Sequence, residues 1–313
     1  MYQNNIISVV VPAYNEETLI EQTLKSIPEY VDKIYAVDDG SHDNTFKIIK
    51  NTSIKDNRIT PLKHENNKGV GAAIITGYKK SVDDNVDVAV VMAGDYQMDQ
   101  THIPKLIEPI IEGTADYTKG NRLTNNTDMK GMSVFRRFGN GLLSLLTKIS
   151  SGYYDIMDPQ NGYAAISRQA LTTIELDEIY PKYGYCNDIL VKLNVFDLRV
   201  KDVPIPARYG SEKSKIKYGR YIMKVSWLLF RNFLYRLKMK YIYQDLSIIP
   251  FLFMFGALLM PLGIFSMFYS DSPLFSNVFS LPIIILSILF VIVALMLDIK
   301  NSRDSLASAN RHV

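Results

Sequence analysis

Two long uncharged segments near the C-terminal end constrain this chain more than any other feature. Residues 246–269 and 276–297 contain no Asp, Glu, Lys or Arg over 24 and 22 positions. A helix of about 20 apolar residues crosses the ~30 Å hydrocarbon core of a bilayer. We therefore expect a two-helix transmembrane anchor over residues 245–313, which includes a short cytoplasmic tail. The alternative is a buried helical hairpin in a soluble domain.

The charges that flank these segments predict the orientation of the anchor. Ten Lys or Arg and a single Glu lie between Arg208 and Lys240, directly before the first segment, and the connection 270–273 has no basic residue. The positive-inside tendency predicts a multi-pass protein of the cell (inner or cytoplasmic) membrane with both termini in the cytoplasm. The N-terminal sequence has no signal-peptide pattern. The single Cys186 excludes an intrachain disulfide, fits a reducing compartment and is expected to be a small buried apolar residue.

Aromatic and basic residues over 216–244 predict one or two amphipathic juxtamembrane helices that lie on the membrane surface. Such helices bury apolar area in the interface, and their Lys and Arg side chains are attracted to anionic lipids. The formal net charge of the chain is only +3, so the total charge argues neither for nor against another anionic partner.

The first 120 residues alternate between strand-like and helix-like segments. Short apolar, β-branched runs such as IISVVVPA, KIYAVDD and VDVAVVMAG are each followed by a segment with helical spacing. This alternation predicts an α/β fold in which a mostly parallel sheet is flanked by helices. Ligands of such sheets bind beyond the carboxyl ends of the strands, which is where the polar residues 14–16, 38–41 and 95–97 fall.

Oxygen-rich turns follow the second and fourth predicted strands. Asp95 and Gln97 place a carboxylate and an amide oxygen two residues apart, and Mg²⁺ or Mn²⁺ combines such ligands with substrate phosphates. A metal there would neutralise a departing diphosphate as a Lewis acid. Asp38 and Asp39 offer acceptors that suit a base NH or ribose hydroxyls. The alternatives are a polar turn at Asp95 and an ordinary Asp-Gly turn in which Asp43 or Asn44 caps the next helix.

Six sequence motifs, taken together, resemble those of a known family. VVVPAYNEE, VDDGSHDNT, NKGVGAA, AGDYQ, KGNR and DPQNGY occur in this order and spacing, as in family 2 glycosyltransferases of the GT-A fold. The membrane-bound subgroup with dolichyl-phosphate mannose synthases and bacterial polyprenyl-phosphate glycosyltransferases is the most similar. The match covers residues 6 to 216. It implies a GT-A catalytic domain, Rossmann-like, over residues 1–215, followed by interfacial helices over 216–244 and the transmembrane helices.

The resemblance implies roles for individual residues on the donor side. The donor-binding positions are Pro12, Tyr14, Glu16, Asp38, Asp39 and Asp95. Lys68 is expected to lie near the nucleotide as well. The metal ligands correspond to Asp95 and Gln97. The first acid of the family's Asp-x-Asp is Ala93 here, which predicts weaker metal affinity or more coordination from the diphosphate and water. Ala93 also keeps open a catalytically weakened membrane subunit that binds nucleotide sugars.

Basic residues are expected to contact phosphate. Arg122, in KGNR, matches a family turn in which an Arg approaches phosphate, and Arg137, in FRRFGN, is assigned the same task because a guanidinium grips phosphate with two hydrogen bonds. A solvated helix face or a lipid contact is the alternative. The positions that loosely match the family's element near the lipid phosphate are Arg208, Ser214 and Lys215.

The need for a base depends on the acceptor. A phosphate monoester has a second pKa near 6 and is already nucleophilic at pH 7, whereas a sugar hydroxyl requires a positioned carboxylate. Asp188 lies where hydroxyl-acceptor relatives carry their base, so it is included among the catalytic candidates. Asp158 lies at the family's acceptor-side turn. Either carboxylate is equally well placed to cap a helix.

The sequence therefore predicts a membrane-bound inverting enzyme. It would move a sugar from a UDP- or GDP-linked donor to an undecaprenyl or dolichyl phosphate with Mg²⁺ or Mn²⁺. A glycosyltransferase that acts on the hydroxyl of a lipid-linked sugar or polysaccharide precursor is the alternative. The expected partners are the nucleotide sugar, the polyprenyl phosphate and the membrane, with no nucleic acid. Association of the two spans into a homo-oligomer is left open.

Overall fold

The computed structural model describes residues 1–123, 134–206, 218–269 and 276–309. The strands are β1 (Ile7–Ala13), β2 (Lys33–Asp38), β3 (Ile59–Lys63), β4 (Val88–Val91), β5 (Tyr117–Asn121), β6 (Ala164–Ser167) and β7 (Val200–Pro204). The helices are α1 (Ile20–Ser26), α2 (Thr45–Ser53), α3 (Val70–Asp83), α4 (Ile103–Ile111), α5 (Val134–Ser151), α6 (Arg168–Thr173), α7 (Tyr185–Val195), α8 (Tyr218–Lys238), α9 (Ile249–Tyr269) and α10 (Leu281–Ala309). π-Helical turns lie at Met239–Gln244 and Ser276–Ser280.

The seven strands form one sheet in the order β3-β2-β1-β4-β6-β5-β7. Neighbouring strands are parallel except where β6 pairs antiparallel with β4 and β5. This confirms the expected mostly parallel sheet. The strand order reverses at β1, which has β2 on one side and β4 on the other. The loops that leave the parallel strands β1, β2 and β4 all start at the carboxyl edge of the sheet, where ligands of such sheets bind, and we call the region beyond this edge the crevice.

Alternating side chains of β1 explain why helices cover both faces of the sheet. All seven residues of β1 are buried. Val9 and Val11 pack with α1 and α4 on one face, while Val10 packs with α3 and α7 on the other. A strand buried on both faces needs a continuous apolar run, and that run is the signal the sequence displays.

The two uncharged segments form an antiparallel helical hairpin, α9 and α10. Both helices are long and apolar enough to cross a membrane, over Ile249–Phe268 and Val278–Asp304, and only 11% and 17% of their most apolar stretches are buried within the protein. A buried hairpin of a soluble domain would show the opposite. The hydroxyl of Ser287 donates a hydrogen bond of 2.8 Å to the carbonyl of Gly256, so the two helices are in close contact.

Helix α8 has an amphipathic pattern that is inverted relative to a soluble helix. Its outer face exposes Met223, Trp227, Phe230 and Leu234, which follow one another at helical spacing. Its inner face buries polar side chains four residues apart, namely Asn232 and Arg236, followed by Lys240 in the π-helical turn.

The inner face of α8 buries two of the basic residues of 216–244. Arg236 forms an ion pair with Asp298, and Lys240 forms one with Asp197 at 2.6 Å. A buried charge is costly unless it is paired, so these two cations are directed inward to their acidic partners. Lys224, Arg231 and Lys238 stay exposed.

Candidate active site

Loops at the carboxyl ends of β1 and β2 form one wall of the crevice. The backbone N–H of Asn15 donates to Oγ of Ser41 (2.9 Å), and the N–H of His42 donates back to Oδ1 of Asn15 (2.9 Å). The N–H of Glu16 donates to Oγ1 of Thr45 (2.8 Å). Asn15 adopts a left-handed conformation with φ of +55°, which Asn tolerates better than most residues. The predicted donor positions after β1 are therefore held against the acidic turn after β2.

Asp38 and Asp39 have different surroundings. The carboxylate of Asp39 accepts the N–H groups of Lys68 (2.9 Å) and Gly69 (2.8 Å) and a ring nitrogen of His64 lies 2.7 Å away. Asp38 is fully buried, and its Oδ2 has no hydrogen-bond partner among the described residues. A buried oxygen without a partner is costly, so Asp38 is the better placed of the two to accept a hydrogen bond from a ligand.

Gly40 explains how the Asp38–Asp39 turn reaches the loop before α3. Its φ is +72°, and an added Cβ would lie 2.7 Å from the backbone of Asn66. A side chain at this position is therefore excluded both by conformation and by space. The turn brings Asp39 to the backbone of residues 68 and 69, at the start of α3.

The turn after β4 positions the proposed metal ligands. Oδ1 of Asp95 accepts the backbone N–H of Gln97 (3.1 Å). Asp99 caps the short 3₁₀ helix Gln100–His102 and accepts from the N–H and hydroxyl of Thr101 (2.9 and 2.7 Å). Within the described part of the chain, no group of three or more His, Cys, Asp or Glu could hold a metal.

The ligand set at this turn fits Mg²⁺ or Mn²⁺ only together with substrate. Mg²⁺ is commonly held by one or two carboxylates plus substrate phosphates, with water completing the octahedron. Asp95 and Gln97 supply one carboxylate and one amide oxygen, and Ala93 supplies none. The chemistry of the donor set is therefore that of a metal that binds with a diphosphate.

Arg122 and Asp158, assigned to opposite sides of the reaction by sequence, form an ion pair. Nε and Nη2 of Arg122 donate to the two carboxylate oxygens of Asp158 at 2.8 and 3.2 Å, and the backbone N–H of Arg122 donates as well. The Arg122 side chain is 43% exposed, whereas that of Asp158 is 5% exposed. A carboxylate therefore holds the guanidinium from one side and leaves part of it accessible.

The model for glycosyl transferase family 2 matches residues 8–174, which is more than half of the chain and includes every site segment described above. The chain belongs to glycosyltransferase family 2. The predictions of a family 2 enzyme and of its fold class are confirmed.

Relatives of this glycosyltransferase include lipid-phosphate enzymes. The UDP-N-acetylglucosamine–dolichyl-phosphate N-acetylglucosaminyltransferase of Methanococcus voltae is 35% identical over 219 residues, which are 66% of this chain and 87% of the relative. The undecaprenyl-phosphate mannosyltransferase of Micrococcus luteus is 28% identical over 199 residues, 63% of this chain and 81% of the relative.

Solved structures agree with the fold. Glucosyl-3-phosphoglycerate synthase of Mycobacterium tuberculosis, in complex with Mn²⁺, UDP-glucose and phosphoglyceric acid, superimposes with a TM-score of 0.55 at 21% identity. The match covers 74% of this chain and 80% of that one. The expected GT-A arrangement of the glycosyltransferase is confirmed.

Asp188 of the glycosyltransferase has the contacts of a structural group. It lies in the first turn of α7 and is 3% exposed. Its Oδ2 accepts the N–H of Tyr180 (2.7 Å), and its Oδ1 accepts Nδ2 of Asn232 on α8 (2.7 Å). Burial raises the pKa of Asp188 above its ordinary value. These contacts join the segment before α7 to α8 and do not cap a helix, and the role of a base stays a prediction.

The remaining sequence-predicted residues are only partly described. Pro12 lies in β1, Tyr14 is exposed after it, and Lys68 is exposed in the loop before α3. Arg137 belongs to α5, but its side chain lies outside the described residues. Three further candidates lie wholly outside them, namely Arg208, Ser214 and Lys215.

Sequence reasoning missed two buried cations and their partners. Lys119, in β5, is fully buried and its Nζ donates to the carbonyl of Asn161 in the DPQNGY segment. Asn161 in turn donates from Nδ2 to the carbonyl of Gly120 (2.7 Å). The signal for this link was present, since both residues belong to quoted motifs. The pair of Arg236 and Asp298 was missed for two reasons. Arg236 was counted with the basic residues between 208 and 240, and Asp298 lies directly after the uncharged segment 276–297.

Proposed function

We propose that the protein is a membrane-bound inverting glycosyltransferase that moves a sugar from a nucleoside diphosphate sugar to a polyprenyl phosphate. The acceptor would be undecaprenyl or dolichyl phosphate, presented at the cytoplasmic face of the cell membrane. The observation that carries the proposal is one continuous body in which the nucleotide crevice is joined to a helix with an outward apolar face. The names of the relatives, which act on dolichyl and undecaprenyl phosphates, support the same acceptor class.

Contacts between the crevice and α8 support this arrangement. The N–H of Ala72, in α3, donates to the carbonyl of Pro181 (2.9 Å). The neighbouring residue Tyr180 donates to Asp188, which accepts from Asn232 of α8. The helix that begins beside the donor loop is therefore connected to α8 through three hydrogen bonds.

On the donor side, the buried Oδ2 of Asp38 would accept a hydrogen bond from the base or ribose. Asp95 and Gln97 would hold Mg²⁺ or Mn²⁺ together with the diphosphate oxygens. The metal would supply Lewis-acid stabilisation of the leaving group. The accessible part of the Arg122 guanidinium would share the negative charge of the departing diphosphate, since an Arg can hydrogen-bond two oxygens at once.

On the acceptor side, an oxygen of the lipid phosphate would attack the anomeric carbon. The bond from that carbon to the diphosphate would break, and the nucleoside diphosphate would leave with the electron pair. A phosphate acceptor is deprotonated near neutral pH, so the step needs no general base. The engagement of both Asp188 oxygens supports this acceptor over a sugar hydroxyl, which would need one.

The outward faces of α8, α9 and α10 support membrane attachment. The exposed stripe of Met223, Trp227, Phe230 and Leu234 would lie in the bilayer interface, with Lys224 and Arg231 toward anionic lipid. The two spans would make the protein multi-pass, with both termini and the catalytic domain in the cytoplasm.

The test is sugar transfer by the full chain reconstituted in lipid vesicles. The protein is incubated with UDP- and GDP-linked sugars, Mg²⁺ or Mn²⁺, and undecaprenyl or dolichyl phosphate, and glycosylated lipid is detected by mass spectrometry. A polyprenyl phosphate that gains one sugar is the expected product. Transfer only to a lipid that already carries a sugar would replace the proposed acceptor by a hydroxyl. Donor binding without product on either lipid would favour a nucleotide-sugar-binding subunit.

A further inference from the structure

A buried polar cluster joins the catalytic domain to the second candidate span. Arg236 of α8 and Asp298 of α10 are both 0% exposed. Their contact is bidentate, with Nη1 to Oδ1 at 2.8 Å and Nη2 to Oδ2 at 2.7 Å. The hydroxyls of Tyr154 and Tyr241 also donate to Asp298. These four residues are called the junction cluster.

Arg236 of the junction cluster also caps the C-terminal end of α5. Nε of Arg236 donates to the carbonyl of Ser150 and Nη2 donates to that of Ile149, both at 2.9 Å. These carbonyls lie in the last turn of a helix, where acceptors have no intrahelical partner and a cation is favoured by the helix dipole. Gly152 follows with φ of +77°, and an added Cβ would lie 2.8 Å from Nη1 of Arg236. The chain at residue 152 is therefore shaped around the guanidinium.

The other polar contacts of the inner face of α8 join it to the catalytic domain. Asn232 contacts Asp188, and Lys240 contacts Asp197, which follows α7. A second ion pair between α10 and the catalytic domain, Arg303 with Asp155, is long (3.8 Å) and exposed, so it contributes little. The junction cluster is thus a strong polar link between α10 and the part of the molecule that carries the crevice.

We propose that Arg236 and Asp298 are positioning residues that hold the catalytic domain in one orientation over the bilayer, so that a membrane-borne acceptor reaches the crevice. This inference rests on the proposed function. A lipid phosphate is confined to the interface, so the domain must be oriented toward it, and small misplacements of reacting groups cost large factors in rate. If only a fraction of molecules is oriented correctly, the apparent affinity for the lipid acceptor is the intrinsic affinity multiplied by that fraction. A water-soluble acceptor carries no such requirement.

The test compares two double variants. Arg236→Ala/Asp298→Ala removes both charges and so leaves no unpaired buried charge. Arg199→Ala/Asp116→Ala is the matched control, because it removes a largely buried bidentate pair (2.9 and 3.0 Å) within the catalytic domain. Each is assayed with long-chain polyprenyl phosphate in vesicles and with a short-chain, water-soluble prenyl phosphate, and donor dissociation constants are measured alongside.

The junction variant is expected to lose at least ~10-fold in kcat/KM for the vesicle-borne acceptor and less than about twofold for the soluble one, with unchanged donor affinity. The control variant is expected to change both acceptors by the same factor. Equal losses for both acceptors in the junction variant, or no loss, would overturn the positioning role.

A distance measurement separates failure of this inference from failure of the proposed function. Spin labels are placed at the exposed positions Ile54→Cys and Phe268→Cys, with Cys186 replaced by Ala, in vesicles. A narrow distance distribution is expected for the native cluster and the control, and a broader one for the junction variant. An unchanged distribution would contradict the inference. If the native chain glycosylates neither acceptor, the proposed function fails, while the distance distributions still decide the positioning role.

Discussion

Two arginine–aspartate pairs of this protein use the same chemistry in opposite surroundings. Arg122 and Asp158 lie at the crevice, and Arg236 and Asp298 lie at the junction with the anchor; the shortest contacts are 2.8 and 2.7 Å. The guanidinium is 43% exposed in the first pair and 0% exposed in the second. Geometry alone would rank the pairs as equal, so exposure is what distinguishes a group that can meet a ligand from one that joins two parts of the fold.

The surroundings of each pair give the physical reason. In the junction cluster the carboxylate accepts from four donors, and the guanidinium also donates to two carbonyls. A ligand that displaced one of these partners would leave buried polar groups without a hydrogen bond, which is costly. At the crevice, part of the Arg122 side chain is exposed, and a phosphate can reach it with a charge-assisted hydrogen bond.

The largest expected effect is on stability at the junction. Arg236→Ala leaves Asp298 buried without its cation and is expected to lower the free energy of unfolding by about 3–5 kcal/mol. Arg122→Ala also leaves a nearly buried carboxylate, but solvent can enter where the half-exposed guanidinium was, so the expected cost is smaller, about 1–2 kcal/mol. Denaturant unfolding of both variants in detergent measures the difference. Equal losses would remove the distinction between the pairs.

The next largest effect is on turnover at the crevice. Arg122→Ala removes a donor that would stabilise the leaving diphosphate, and such losses lower kcat by about 10²–10³. Arg303→Ala, which removes an exposed pair on α10, is the control and is expected to keep kcat within about twofold. Initial rates with saturating donor and acceptor provide the measurement. A fall of less than threefold for Arg122→Ala would assign Arg122 to structure alone.

A smaller effect is expected where α5 meets the junction cluster. Gly152→Ala introduces a side chain at positive φ against Arg236 and is expected to lower stability by about 1–3 kcal/mol. Gly141→Ala, inside α5, adds a Cβ with nothing within 4 Å and is expected to raise stability by about 0.5–1 kcal/mol. Thermal unfolding of the two variants measures the contrast. The same sign for both would show that Gly152 is not fitted to the guanidinium.

The smallest effect is expected for the replacement of Asp188. Asp188→Asn keeps the shape but replaces one acceptor by a donor, so it is expected to cost about 1 kcal/mol of stability. With a phosphate acceptor, kcat is expected to stay within about threefold. Rates and donor affinity are measured together. A large fall in kcat at unchanged donor affinity would make Asp188 a base and would favour a hydroxyl acceptor.

Much of the fold follows from local sequence patterns. Buried strands such as Ile7–Ala13 need apolar β-branched runs, and α9 and α10 need long uncharged ones, so both are visible without tertiary information. The turn residues at the ends of β1, β2 and β4 were also found, because ligand-facing loops of a parallel sheet follow its strands.

The sequence could not predict which oxygens of the site already accept hydrogen bonds within the protein. Asp38 and Asp39 are adjacent acids, and only the folded loop at residues 68 and 69 shows that Asp39 accepts backbone N–H groups, while Asp38 keeps a buried oxygen that has no partner in the described part of the chain. Likewise, a count of charges cannot separate the buried Arg236 from the exposed Arg231. Arg236 is buried because it packs against Asp298 of α10, which lies far along the chain.

We expect Asp95 to support metal-dependent sugar transfer to a polyprenyl phosphate. The most direct measurement compares product formation by the reconstituted native chain, Asp95→Ala and Asp99→Ala, with Mn²⁺ or Mg²⁺ and with a chelator. We expect glycosylated lipid only when metal is present, loss of product in Asp95→Ala, and near-native product in Asp99→Ala, whose carboxylate caps a short helix. Product that forms equally with the chelator or in Asp95→Ala would contradict the claim.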